Sequence, residues 1–317
     1  MRRLIGCVLL MLVGCERAPR VPYIPPVLHN WPAAYRGVEG LRLEAFVTGW
    51  LHLPEALVYR GGRWTTRTLP VLAFAIHHPQ HGVILFGSGL NRAVAKNAGR
   101  YFDGLLGLVL QAEAYPELDL PAQLLSVGIT PASVRWIILP SLQFDSTGEV
   151  EAFPEARVVV ARAEHEYARN PGLGYLRREY DDVASWWFID FPLDRPLATF
   201  PASTDLFEDG SCALLDVAGY TPGSLALLLR LASAPLLLAG NLAPVEETLR
   251  YAAPALGAAD AAQWWDRIWR LKRFRDLEPA LRIAPGHDTV SLWRNSPAEL
   301  VLHDSTLPRD APPRQRP

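Results

Sequence analysis

Short apolar runs closed by turn residues alternate along the chain with stretches of helical period, and the first runs come in pairs. Residues 56–59 and 65–69 flank Gly61–Gly62, which predicts a hairpin, and residues 71–76 and 83–86 flank the turn at 77–82, which predicts a second. Residues 92–110 carry Val94, Ala98, Tyr101, Phe102, Leu105 and Leu108 at helical spacing and predict one long helix. Residues 121–127 predict a helix ended by Gly128, and Thr130–Pro131 an N-cap with proline in the first helical position ahead of a strand at 134–139. Strands follow at 157–161, 213–217, 225–229, 235–239 and 281–284, with helices at 162–169 and 263–275. The last of these helices reads as amphipathic and carries Trp264, Trp265, Ile268, Trp269 and Leu271. Strand pairs first and strand–helix units later predict a layered α/β fold. No low-complexity linker or fixed-period repeat interrupts residues 41–303, so they read as one domain.

The N-terminus has a different pattern. Met1-Arg2-Arg3 leads into an apolar run, residues 4–14, that is too short to span a bilayer and has the layout of a secretory signal. It ends in Leu12-Val13-Gly14-Cys15, which resembles the bacterial lipobox, whose cysteine receives a diacylglycerol. The expected organisation is a signal peptide (1–14), a lipidated proline-rich tether (15–34), a folded domain (35–305) and a disordered tail (306–317). The resemblance implies a lipid bilayer as partner through Cys15. It also implies the bacterial cell envelope as location, on the outer side of the cytoplasmic membrane or in the outer membrane facing the periplasm. Beyond Cys15 the next cysteine is Cys212, in an apolar run, so no internal disulfide is expected. The apolar stretch 224–240 is broken by Arg230 and Pro235 into strand-length halves and predicts no second span.

Composition narrows the function classes. The chain has 317 residues, 50% hydrophobic and 20% charged, which excludes disordered and fibrous classes. A net charge of −2 gives no broad basic surface, so no nucleic-acid partner is expected.

Candidate chemistry comes from ordered segments: Ser126-Val127-Gly128-Ile129-Thr130-Pro131 ahead of Leu139-Pro140-Ser141-Leu142-Gln143-Phe144-Asp145-Ser146-Thr147-Gly148; Ala218-Gly219-Tyr220-Thr221-Pro222-Gly223-Ser224; Ala239-Gly240-Asn241; and Ala284-Pro285-Gly286-His287-Asp288. With Leu85-Phe86-Gly87-Ser88-Gly89-Leu90, they resemble the metallo-β-lactamase superfamily, especially its lactonase-like hydrolases. The resemblance implies an αββα sandwich. It also implies a centre where imidazoles and carboxylates around metal ions lower the pKa of a bound water. Carried over position by position, the histidines of the family's H-x-H-x-D-H loop fall on Ser141, Gln143 and Ser146, and its aspartate on Asp145. The next histidine falls on Tyr220, the bridging aspartate on Asn241, the last histidine on His287 and a supporting aspartate on Gly87. Only Asp145 and His287 keep a standard ligand, fewer than the three of a usual catalytic zinc.

These replacements predict a degenerate site with no metal and no cofactor, in which Asp145 and His287 are the candidate catalytic residues. The implied function is non-catalytic binding of a small molecule or an envelope protein. The alternative is an active hydrolase of an ester, lactone or amide, with an atypical mononuclear (zinc) or metal-free site. A serine nucleophile at Ser141 or Ser146 is disfavoured because no nucleophile-elbow glycines surround either. Trp186, Trp187 and Phe188 are candidate pocket walls for an apolar ligand. His77, His78 and His81 are read as solvated turn residues, and His165 as a surface residue.

Mass spectrometry of the mature N-terminus is expected to find a diacylglycerol-modified Cys15, and Cys15→Ala is expected to leave the membrane fraction. An unmodified chain starting elsewhere would remove the anchor.

Overall fold

The computed structural model describes residues 27–102 and 104–304; the signal peptide, Cys15 and the tail at 306–317 lie outside the described residues. The first sheet is built from β1 (Arg42–Pro54), β2 (Thr66–His78), β3 (Gly82–Phe86), β4 (Gln111–Glu113), β5 (Val134–Ile138), β6 (Arg157–Ala161), β7 (Trp186–Ile189) and β13 (Leu300–His303). Its order is β13-β1-β2-β3-β5-β6-β7, with β4 also on β1. The second holds β8 (Ser203–Asp205), β9 (Cys212–Asp216), β10 (Leu225–Arg230), β11 (Pro235–Leu238) and β12 (Arg282–Ala284), in the order β12-β11-β10-β9-β8.

The sheets pack face to face because both send a set of alternate residues inward. Leu225, Leu227 and Leu229 of β10 meet Phe74, Ile84, Phe86 and Ile138 in the central core. The intervening Ala226 and Leu228 face the other way, against Trp264, Ile268, Leu271 and Phe274 of the helix Ala261–Leu277. The outer face of the first sheet is covered in turn, where Leu85, Ile137 and Val158 pack on Leu120 and Leu124 of the helix Leu120–Ser126. Both sheets are covered on both faces, the expected αββα order of layers. Among the described residues no helix is long and apolar enough to cross a membrane.

Three elements depart from the sequence reading. Residues 56–59 are not a strand: the helix Glu55–Val58 and its closing turn carry Gly61–Gly62. They sit at the tip of a longer hairpin of β1 and β2. β1 has no alternating pattern because it is buried along most of its length, flanked by β2, β4 and β13. The long helix at 92–110 is two shorter ones, Ala93–Tyr101 and Gly104–Val109. Asn97 is extended within the first, and its side chain accepts the Arg100 N–H at 2.9 Å in place of a helical carbonyl.

The histidines of the β2–β3 hairpin are not all solvated either. His77 Nε2 lies 2.8 Å from Glu44 Oε1, and His303 Nε2 lies 2.8 Å from Glu44 Oε2, so one carboxylate joins β1, β2 and β13. His78 is buried. Burial pushes the Glu44 carboxyl up, but hydrogen bonds with His303 and His77 outweigh it and hold its pKa below the ordinary 4.5. Such a group stabilises the fold above about pH 4.5 and loses that contribution as pH falls through its lower folded-state value. Glu44→Gln is expected to lower Tm at neutral pH and to shrink the further loss below about pH 4.5. Thermal melts of parent and variant from acid to neutral pH check it.

Candidate functional site

The segments singled out by sequence meet at one edge of the sandwich. β5, β11 and β12 each run into a loop there, carrying 139–143, 239–241 and 285–287 respectively. Gly240 adopts a positive φ of 51°, and a Cβ on Gly286 would lie 2.7 Å from the Gly240 carbonyl oxygen, so the last two loops approach at van der Waals distance. The His287 amide donates to the Pro244 carbonyl at 2.7 Å and fixes the side chain's direction.

His287 is held at both nitrogens. Nδ1 lies 2.9 Å from the Pro70 carbonyl oxygen, which can only accept, so Nδ1 carries a proton. Nε2 lies 3.2 Å from Asp145 Oδ2. Burial disfavours the imidazolium, but the hydrogen bond and charge of Asp145, with the Pro70 carbonyl, outweigh burial and raise the pKa above the ordinary histidine value. The other oxygen, Asp145 Oδ1, is buried and has no hydrogen-bond partner. Both residues line a cavity of about 30 Å³, room for roughly two water-sized groups. Ser146, Gly87 and Asn241 share its wall with the apolar Leu72, Phe74, Phe86 and Leu238.

The residues at the family's lost ligand positions bond among themselves. Asn241 Nδ2 donates to Gln143 Oε1 at 3.0 Å, and Ser141, fully buried, accepts the Gln143 amide through Oγ at 3.4 Å. Burial pushes the Tyr220 phenol up, the charge of Asp145 adds to this, and a hydrogen bond with Gln143 works against it. Ser141, Gln143, Asp145, Ser146, Tyr220, Asn241 and His287 therefore gather in one place. Trp186, Trp187 and Phe188 do not join them. They form β7, at the far end of the first sheet, where Trp186 and Phe188 stack at 6.0 Å and the half-buried His165 packs on both.

A residue that nothing in the sequence singles out, Glu164, ties two of these loops together. It is fully buried in the helix Arg162–Tyr167 and accepts four hydrogen bonds. Leu142 N–H (2.9 Å) and Tyr175 OH (2.7 Å) donate to Oε1; Thr221 OH (2.6 Å) and Gly223 N–H (3.2 Å) donate to Oε2. A Cβ on Gly223 would stand 2.1 Å from the Glu164 nitrogen, so the Thr-Pro-Gly turn can close on this helix only through a glycine. That turn was the available signal: its small residues leave space for a carboxylate from elsewhere. Glu179 supports the same loop, accepting from Tyr101 OH at 2.5 Å and from Thr147 OH. Burial pushes its pKa up to about 7 against the pull of those two donors.

Residues 66–287 match the family model described as the metallo-beta-lactamase superfamily, and that stretch contains both sheets' site loops. The chain belongs to that superfamily. Its similar curated relatives include the N-acyl homoserine lactonase AttM of Azorhizobium caulinodans, 29% identical over 229 residues that make up 69% of this chain and 82% of that protein. AttM of Agrobacterium fabrum is 32% identical over 181 residues, 54% of this chain and 64% of that one. Among solved structures, an N-acyl homoserine lactone hydrolase with N-hexanoyl-L-homoserine at its catalytic metal centre superposes with a TM-score of 0.68 at 22% identity, covering 78% of this chain and 93% of that one. The dizinc quorum-quenching lactonase AidC superposes with a TM-score of 0.57 at 14% identity, covering 80% and 90%.

The expectation that no metal or cofactor belongs to this chain is corrected by two findings. Solved members of the fold hold a catalytic metal centre, two zinc ions in the case of AidC. Within this chain His78, His81 and Asp209 bring one donor atom each to within 4.8 Å of one another. The family's own position fits a pair of zinc ions poorly. The Gln143 carbonyl oxygen is taken up by the Asn241 amide, neutral oxygens are weak partners for zinc, and only Asp145 and His287 offer a carboxylate and an imidazole.

Removing the Glu164 carboxylate strands two backbone N–H groups and two hydroxyls. Glu164→Ala is expected to cost on the order of 3–4 kcal/mol, and Glu164→Gln less, because one oxygen still accepts from Leu142 and Tyr175. Urea unfolding of the variants checks the order.

Proposed function

We propose that this chain is a hydrolase of acyl lactones or related esters, working from the Asp145–His287 pair. The carrying observation is the unpartnered, buried Asp145 Oδ1 beside His287 in a cavity at the loop edge of the sandwich. The curated relatives, named as N-acyl homoserine lactonases, support the substrate class.

A water in the cavity would donate to Oδ1, while His287, anchored on Pro70, holds Oδ2 and so fixes the carboxylate plane. As the water oxygen bonds to the acyl carbon, its proton passes to Asp145. When the ring C–O bond breaks, that proton goes to the leaving alkoxide, which leaves a free acid and an alcohol. The cavity admits the water and a carbonyl group but not a whole acyl lactone, so the rest of the substrate would lie at its mouth. The proposed setting is the bacterial envelope, with the enzyme tethered through Cys15.

A second reading, recognition of the same ligand without turnover, is favoured by the mutual bond of Gln143 and Asn241, which removes two groups a catalyst of this family would use. One experiment separates the two. Purified chain is mixed with N-acyl homoserine lactones of several acyl lengths, with and without added zinc, following acid release and binding together. Turnover that falls about 100-fold in Asp145→Asn is expected from loss of a general base. Saturable binding without acid release would assign the second reading, and neither would overturn both.

A further inference from the structure

We infer that the edge of the sandwich opposite the candidate site holds a second site, for a divalent transition metal of the zinc class, on His78, His81 and Asp209. Pro70, which anchors His287, and His78 are eight residues apart on β2, roughly 27 Å at the usual strand rise. The two sites therefore share a strand but no residue.

Each donor is held by a separate feature. His78 ends β2 with its side chain buried, and its Nε2 lies 3.3 Å from Asp209 Oδ2 and 2.8 Å from Ser211 Oγ. His81, in the following turn, stacks flat on Phe207, with ring centroids 3.9 Å apart and planes 11° apart. Asp209 comes from the loop between β8 and β9, in the other sheet; its Oδ1 accepts the Ser211 N–H at 2.9 Å, which turns Oδ2 toward His78. Asp205 shapes that loop by accepting Gly210 N–H at 2.7 Å. Two imidazoles and a carboxylate, with donor atoms within 4.8 Å of one another, supply the three protein ligands of an open zinc site, water completing the fourth position. Nitrogen donors of this kind favour zinc over calcium or magnesium.

Binding has an identifiable cost. In the metal-free hairpin His78 Nδ1 accepts the amide N–H groups of Gln80 and His81 at 3.2 Å each, which places the ring proton on Nε2, facing Ser211 and Asp209. A metal on Nε2 requires that proton to move to Nδ1, so both amides lose their acceptor and the turn must relax. The ion would staple the β2–β3 hairpin of the first sheet to the β8–β9 loop of the second, a structural role, with an affinity reduced by the broken turn.

The test uses the full chain, stripped with chelator and dialysed, titrated with zinc chloride by calorimetry. To remove the contribution of the family's own position, an Asp145→Asn/His287→Gln double variant is titrated alongside the parent. The double variant is expected to bind one zinc per chain. Adding His81→Ala, at a half-buried position, or Asp209→Asn, at an exposed one, is expected to weaken that binding at least 10-fold, whereas adding Ser211→Ala, which removes only the bond from Ser211 to His78, is expected to preserve it. Zinc should raise the Tm of the double variant and speed amide exchange at Gln80 and His81; calcium should do neither. A double variant that binds no zinc, or binding untouched by both His81→Ala and Asp209→Asn, overturns the site.

Discussion

Two of the loops that build the candidate site, one from each sheet, depend on one buried carboxylate. Glu164 gathers a backbone amide from the loop after β5, a hydroxyl and an amide from the turn after β9, and a phenol from the segment that follows its own helix. A carboxylate without such donors would be expelled from this environment, and the donors without it would be left unpaired away from water. Each side therefore enforces the other, and the loops of two separate sheets are held in register by hydrogen bonds that involve none of the residues facing the cavity. The site residues could change identity without the loops losing their positions.

That separation explains what was legible in the sequence. Six of the strands after residue 134, though not β7 or β8, and the turns of the site loops follow from local pattern: Pro-Gly ahead of His287, Thr-Pro-Gly after Tyr220, and Gly240 at positive φ each mark a turn through backbone geometry. The gathering of seven dispersed positions was also legible, through the resemblance. β1 and β13 were not, since a strand buried along most of its length shows no alternation, and β13 is only four residues long, paired in parallel with a partner some 250 residues earlier in the chain. Glu164 stayed hidden because a buried acid looks the same in sequence as its exposed neighbour Glu166; its four partners are dispersed along the chain. For the same reason His78 was read as solvated: a turn residue is buried only if another sheet's loop covers it, and the β8–β9 loop does.

At the cavity, charge has been conserved in a different form. In the dizinc relative AidC, metal ions are part of the centre. Here one carboxylate faces one imidazole, and amides and hydroxyls meet around them. The Asp145–His287 pair is internally neutral when the histidine is protonated, so it brings no net charge into a pocket that Leu72, Phe74, Phe86 and Leu238 also line. The free oxygen of Asp145 is a buried group with unmet bonding capacity.

The bond between Gln143 and Asn241 also bears on the history of the fold. The Asn241 amide donates to the Gln143 carbonyl oxygen, so a histidine restored at 143 alone would leave the Asn241 donor without its acceptor, and an aspartate restored at 241 alone would give up the amide donor that Gln143 now meets. Neither single step back regains an ion, because three converging ligands are needed before one is held. Restoring the family's ligands one at a time thus works like a ratchet: each single step gives up a bond before an ion can be held, and the amide-lined cavity is left with the chemistry of its own residues.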